Sequence, residues 1–73
     1  MTPEQCRAAR AWLNWPQDEL ATNANVGVST VRDFEANRRV PTRNNLTAMQ
    51  AALEKGGVSF VENEKERGIT APL

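Results

Sequence analysis

The residues of this 73-residue chain that could do chemistry are arginines, amides and hydroxyls, and they are gathered in one stretch. Between positions 32 and 43 stand four arginines (Arg32, Arg38, Arg39, Arg43) against two carboxylates, Asp33 and Glu35. Val28, Ser29 and Thr30 come just before them, and Gln17 earlier still. Guanidinium forks grip phosphates and the acceptor edge of guanine; hydroxyls reach base edges or phosphates; an apolar side chain can pack on a thymine methyl. Catalysis has far less to draw on. There is no histidine and no tyrosine, and the single Cys6 cannot form an internal disulfide. No nucleophile is paired with a base and no metal-ligand cluster can be drawn, so the chain reads as a binding protein without cofactor or metal, not as an enzyme.

Charge complicates that reading. Nine basic and nine acidic residues cancel, whereas a nucleic-acid module is usually basic. Distribution matters more than the sum. From Glu54 onward, Glu54, Glu62, Glu64 and Glu66 outnumber Lys55, Lys65 and Arg67, so the basic surface is expected around the 32–43 stretch. At 40% hydrophobic and 25% charged the chain looks globular, near the lower size limit for a self-sufficient core. No apolar run approaches the ~20 residues of a membrane span. MTPEQCRAAR lacks the apolar centre of a signal peptide, so a cytoplasmic location is the expectation.

The elements that must position these groups are helical. Thr2-Pro3-Glu4-Gln5 has the form of an N-cap, a first-turn proline and a capping box. Helix 1 is expected from Pro3 to Leu13, with Cys6, Ala9 and Leu13 inward and Asn14 closing it in a left-handed conformation. Trp12 and Trp15 cannot both lie on that stripe; Trp15 is assigned to the core and Trp12 to the surface. Pro16 starts helix 2 without a capping side chain, and Gln17 sits where backbone N–H groups and a side-chain amide could grip one phosphate. Leu20, Ala21 and Ala24 make the inward stripe of helix 2, and Val31 and Phe34 that of helix 3, expected over 28–35. Asn25-Val26-Gly27 between them offers two residues able to take left-handed angles. Small Ala21 lets two helix backbones meet at the steep angle of a helix-turn-helix. Arg38 to Arg43 forms a basic loop with Pro41 as a brake, and helix 4 runs from about residue 43 to 55, with Leu46, Met49 and Leu53 inward and Gly56-Gly57 stopping it. The rest, 58–73, changes period: Val58 to Val61 and Gly68 to Thr70 read as two short strands around a charged loop.

The stretch Gln17–Glu35, with Arg10, Asn37, Arg39 and Pro41, resembles the lambda-repressor/Cro-like (XRE) helix-turn-helix family of bacterial and phage regulators, over about residues 4–55. The resemblance implies a mainly α, compact four-helix domain over 1–57, followed here by a β extension over 58–73. It implies that Gln17 clamps phosphate; that Val28, Ser29, Arg32 and Asp33 face the bases; and that Arg38, Arg39, Arg43 and Asn44, with Thr30, hold the DNA backbone. It also implies a structural ion pair between Arg10 and Glu35. Four positions depart from the pattern: Pro16 replaces the cap of helix 2, Asn25 the turn glycine, Gly27 the cap of helix 3, and Asn37 the glycine after it.

A function follows as an expectation. The chain would be a sequence-specific transcriptional regulator binding an inverted-repeat operator in double-stranded DNA as a homodimer, with helix 28–35 in the major groove. Because an isolated hairpin is marginal in water, the extension, through Val58, Phe60 and Ile69, is the expected dimerisation element. The competing expectation is an antitoxin-like or accessory protein-interaction module with weak DNA affinity, suggested by neutral charge and an exposed Trp12.

Overall fold

The helices of this protein end in one repeated way. In the computed structural model, which describes residues 1–72, the order is α1 (Pro3–Leu13), α2 (Gln17–Ala24), α3 (Val28–Glu35), α4 (Arg43–Gly56), β1 (Ser59–Glu62) and β2 (Arg67–Thr70). Asn14, Asn25 and Asn37 follow the first three helices at φ of 58°, 56° and 60°, and Gly57 follows the fourth at 120°. The next N–H then turns back onto a helix carbonyl: Trp15 to Arg10, Val26 to Ala21, Arg38 to Asp33 and Val58 to Leu53. This is the left-handed closure that glycine usually supplies. Asparagine is the side-chain-bearing residue that adopts it at least cost. In three of the four closures the residue after the turn is apolar and packs on the core (Trp15, Val26, Val58). In the fourth it is the exposed Arg38.

Helix starts are more varied. Thr2 and Gln5 form a reciprocal capping box on α1, Oγ1 accepting from Gln5 N at 3.1 Å and Oε1 accepting from Thr2 N at 2.8 Å. Thr42 caps α4 by accepting from Asn45 N at 3.2 Å. α2 and α3 have no side-chain cap. Gly27, expected to share the left-handed burden of the turn, instead lies at φ −70°, ψ 146°, an extended N-cap geometry open to any residue. One left-handed residue, Asn25, is enough to turn the chain.

The core is assembled from every helix: Cys6 and Ala9, Leu20, Ala21 and Ala24, Val31 and Phe34, Met49 and Leu53, with Val58 after α4. Burying Leu20, Met49 or Leu53 completely stabilises the fold by roughly 1.5–3 kcal/mol each. Leu13 is half-buried and Trp15 packs on the cluster, while Trp12 is 55% exposed. No helix among the described residues is long and apolar enough to cross a membrane.

β1 and β2 pair antiparallel with Phe60 opposite Ile69 and Val61 opposite Gly68, both strands beginning one residue away from the sequence expectation. The hairpin is tied to α1 by one side chain. The Gln5 amide donates to Val61 O at 3.1 Å and to Gly68 O at 2.9 Å, two carbonyls that face each other across the ladder. Its own carbonyl is held by Thr2, so every polar atom of this buried side chain is engaged. That docking answers the marginal stability of a lone hairpin. Val58, 2% exposed, belongs to the core and stands one residue before the strand it is expected to open. Phe60 and Ile69 are partly buried against the same core.

Candidate nucleic-acid interface

Helix α3 has two faces that do different things. Val31, Phe34 and Glu35 are buried against the bundle. Val28, Ser29 and Arg32 are exposed on the other side, and Thr30 and Asp33 lie at the margin. Ala21, 4% exposed, is the small residue at the crossing of α2 and α3. The bend over 24–28 thus leaves the first turn of α3 standing off the bundle.

The buried end of α3 is fixed by an unusual concentration of polar contacts on Glu35. Arg10 grips the carboxylate bidentately, Nε to Oε2 and Nη2 to Oε1, each at 2.6 Å. Gln17 Nε2 donates to Oε1 at 2.9 Å, and the Cys6 thiol donates to Oε2 at 3.1 Å. Arg7 donates to the backbone carbonyl of the same residue, and Arg10 Nη1 reaches Trp15 O at 2.9 Å. Burial pushes the Glu35 carboxyl up, but the hydrogen bonds from Arg10, Gln17 and Cys6 and the Arg10 charge together hold it below the usual glutamate value. The Arg10 guanidinium is raised by its hydrogen bond to Glu35, against its own desolvation. Cys6 is driven strongly upward, by burial first and then by donating to a carboxylate, so it stays a neutral thiol. A cysteine in that state packs and donates; it does not react.

The arginines of the basic stretch are arranged differently. Arg32, Arg38, Arg39 and Arg43 are all exposed. The ion pairs among the described residues are Arg10–Glu35 and Glu62–Arg67, so none of the four has a carboxylate partner. The second pair, 3.4 Å apart and exposed, contributes little. An open cleft joins helix to loop: Ser29, Thr30 and Asp33 form one wall, and Arg39, Val40, Pro41, Thr42 and Asn45 the other. Arg38 N and Arg39 N both donate to Asp33 O, at 2.8 and 3.3 Å, which fastens the start of the basic loop to the last turn of α3. Asn44 is exposed in the first turn of α4 beside Arg43.

Gln17 stands apart from this cluster in its bonding. One of its amide hydrogens is directed inward to Glu35. Its other N–H and its carbonyl have no partner among the described residues, at the uncapped start of α2, where the first backbone N–H groups have no helical acceptor. Such a terminus favours an anion, although Asp18 and Glu19 in the same turn oppose one.

A family model described as helix-turn-helix matches residues 7–61, from the fifth residue of α1 through most of β1. The chain belongs to the helix-turn-helix family of lambda-repressor (XRE) type. No curated protein matches it. Membership makes the protein a DNA-binding helix-turn-helix regulator and makes DNA its partner. In helix-turn-helix terms α2 and α3 are the motif, and the match extends past α4 into the hairpin.

Several residues of this arrangement lie beyond sequence reasoning. Cys6 and Arg7 join the Glu35 hub, and Gln5 holds the hairpin from 56 and 63 positions away. Nothing local signals either. The Thr42 cap does have a signal, a hydroxyl residue directly before a helical run.

Proposed function

We propose that this helix-turn-helix protein is a sequence-specific transcriptional regulator that binds inverted-repeat operator DNA as a homodimer. One α3 enters the major groove of each half-site, half-sites lying about one helical turn apart. The observation that carries the reading is the division of α3: its buried end is locked by Glu35, while its outer face carries exposed Val28, Ser29 and Arg32, with Arg39 across an open cleft from Ser29 and Thr30. Val28, Ser29, Arg32 and Asp33 meet base edges. Gln17, Thr30, Arg38, Arg39, Arg43 and Asn44 hold phosphates on either side. The local surplus of arginine over a neutral chain supports this, since steering depends on where charge sits. The hairpin supplies the dimer contact through its open strand edges and the exposed parts of Phe60 and Ile69.

Gel shifts of the full chain on a library of inverted repeats test the reading. Salt-sensitive binding to a subset of repeats is expected, with two chains per operator by sedimentation equilibrium. Equal binding to all duplexes, or one chain per operator at saturation, would overturn it. An accessory protein-interaction role is the second reading, favoured by Trp12 standing 55% exposed on α1; recovery of one stoichiometric protein partner, with no DNA retained at moderate salt, would favour it.

A further inference from the structure

We infer that each DNA half-site presents a thymine to Val28 and a guanine to Arg32, about two base-pair steps apart. This rests on the operator-binding reading above and adds the sequence that is read. Val28 is 43% exposed on the first turn of α3. Gly27 beside it contributes no side chain, and no side chain caps the helix there. The group meeting the bases at this end is therefore an isopropyl. In the major groove the apolar feature is the thymine C5 methyl; every other base edge offers donors or acceptors that a valine would strip of water and leave unpaired.

Arg32 lies four residues on, and so on the same helix face. It is exposed and has no carboxylate partner among the described residues. Its neighbour Asp33 lines the cleft with Thr30 and Arg39. The free guanidinium fork carries donors alone, and guanine alone offers two acceptors, O6 and N7; adenine turns its amino group toward the fork. Four residues of helix rise roughly 6 Å, close to two base-pair steps of 3.4 Å. Ser29, between them, donates or accepts equally well and discriminates little. Of what Val28, Ser29 and Arg32 read, the discriminating part is thereby concentrated in one methyl and one pair of acceptors.

Selection of bound fragments from random duplexes with the full chain, followed by base-analogue titrations, tests this. The expected consensus contains thymine and guanine at that spacing. Replacing the thymine by deoxyuridine should weaken wild-type binding about fourfold, the effect of one buried methyl, and should not affect Val28→Ala. Replacing the guanine by 7-deazaguanine should weaken the wild type about fivefold or more and leave Arg32→Ala indifferent. Both side chains are exposed, and the analogue arm leaves the protein unaltered, so misfolding cannot imitate the result. A strong consensus lacking this pair overturns the inference while sparing the operator reading, as does deoxyuridine bound as tightly as thymidine or full methyl discrimination by Val28→Ala. Absence of any sequence preference overturns both.

Discussion

The two ends of α3 are built on opposite principles. At its C-terminal end Glu35 is 4% exposed and receives hydrogen bonds from three side chains of two other helices. At its N-terminal end Gly27 brings no cap, Val28 faces solvent, and Arg39, which has no carboxylate partner among the described residues, lines the cleft beside Ser29 and Thr30. The lesson is that a reading helix needs one end immobilised so that the other can be left unsatisfied. Uncompensated polar and charged groups are affordable only where water, or a ligand, completes them.

If the anchored end carries the fold, removing a partner there has the largest effect. Glu35→Ala would leave the half-buried Arg10 guanidinium without its carboxylate, and such losses run to about 3–5 kcal/mol. In a domain this small that is most of the stability to be expected. Urea unfolding should show the midpoint collapse. Arg10→Met with Glu35→Leu, which removes both charges, should recover much of it; failure to recover would show that the hub does more than neutralise itself.

The same hub sets the pH range of stability. Glu35 has its folded carboxyl held below the ordinary value. Its contribution is therefore complete above the unfolded glutamate pKa of about 4.3 and is lost as pH falls through the lower folded value. Cys6 is shifted the other way. The folded state keeps its proton, so stability is complete below the unfolded thiol pKa of about 8.5 and declines as pH rises beyond it. Chemical denaturation from pH 3 to 10 should show a plateau with both shoulders, and Cys6→Ala should remove the alkaline one. A profile unchanged by that substitution would take Cys6 out of the account.

How far this contrast could be read from sequence differs between the ends. The closure at Asn37 follows from the family pattern; the four helices, the asparagine closures at Asn14 and Asn25 and the outward first turn of α3 follow from local signals: apolar spacing, Thr2 with Gln5, and residues tolerant of positive φ. The anchored end does not. The pairing of Arg10 with Glu35 follows from family resemblance, but the contributions of Cys6, Arg7 and Gln17 depend on where α1 and α2 cross α3. Gln5 carries a capping signal that hides its second task, since its hairpin partners are backbone carbonyls and leave no trace in residue type. Val58 falls outside β1 for a related reason. Its β-branched side chain suits a strand, yet it follows Gly57 in the closure of α4 and is drawn into the core.

At the open end the expected effects on stability are small and those on binding large. Arg39→Ala with Arg43→Ala should leave the unfolding midpoint within about 0.5 kcal/mol of wild type, as exposed substitutions do. It should also lower the slope of log affinity against log salt by about 2. Unchanged affinity and slope would remove the backbone clamp from the proposed interface.

The smallest test concerns the missing cap. Gly27 already has the extended geometry of an N-cap residue, and a Cβ added there would meet Ser29 Oγ at 3.7 Å and Thr30 Oγ1 at 3.9 Å, ordinary contacts. Gly27→Ser should therefore fit without strain and stabilise α3 by a few tenths of a kcal/mol, the usual margin of a hydroxyl cap over glycine. Its hydroxyl would also occupy an N–H of the first turn that the wild type leaves open. Operator affinity should then stay level or fall slightly while thermal stability rises. A gain in both would mean that the first turn of α3 is limited by fraying, and that the open end owes its exposure to a weak cap instead of to the groove it enters.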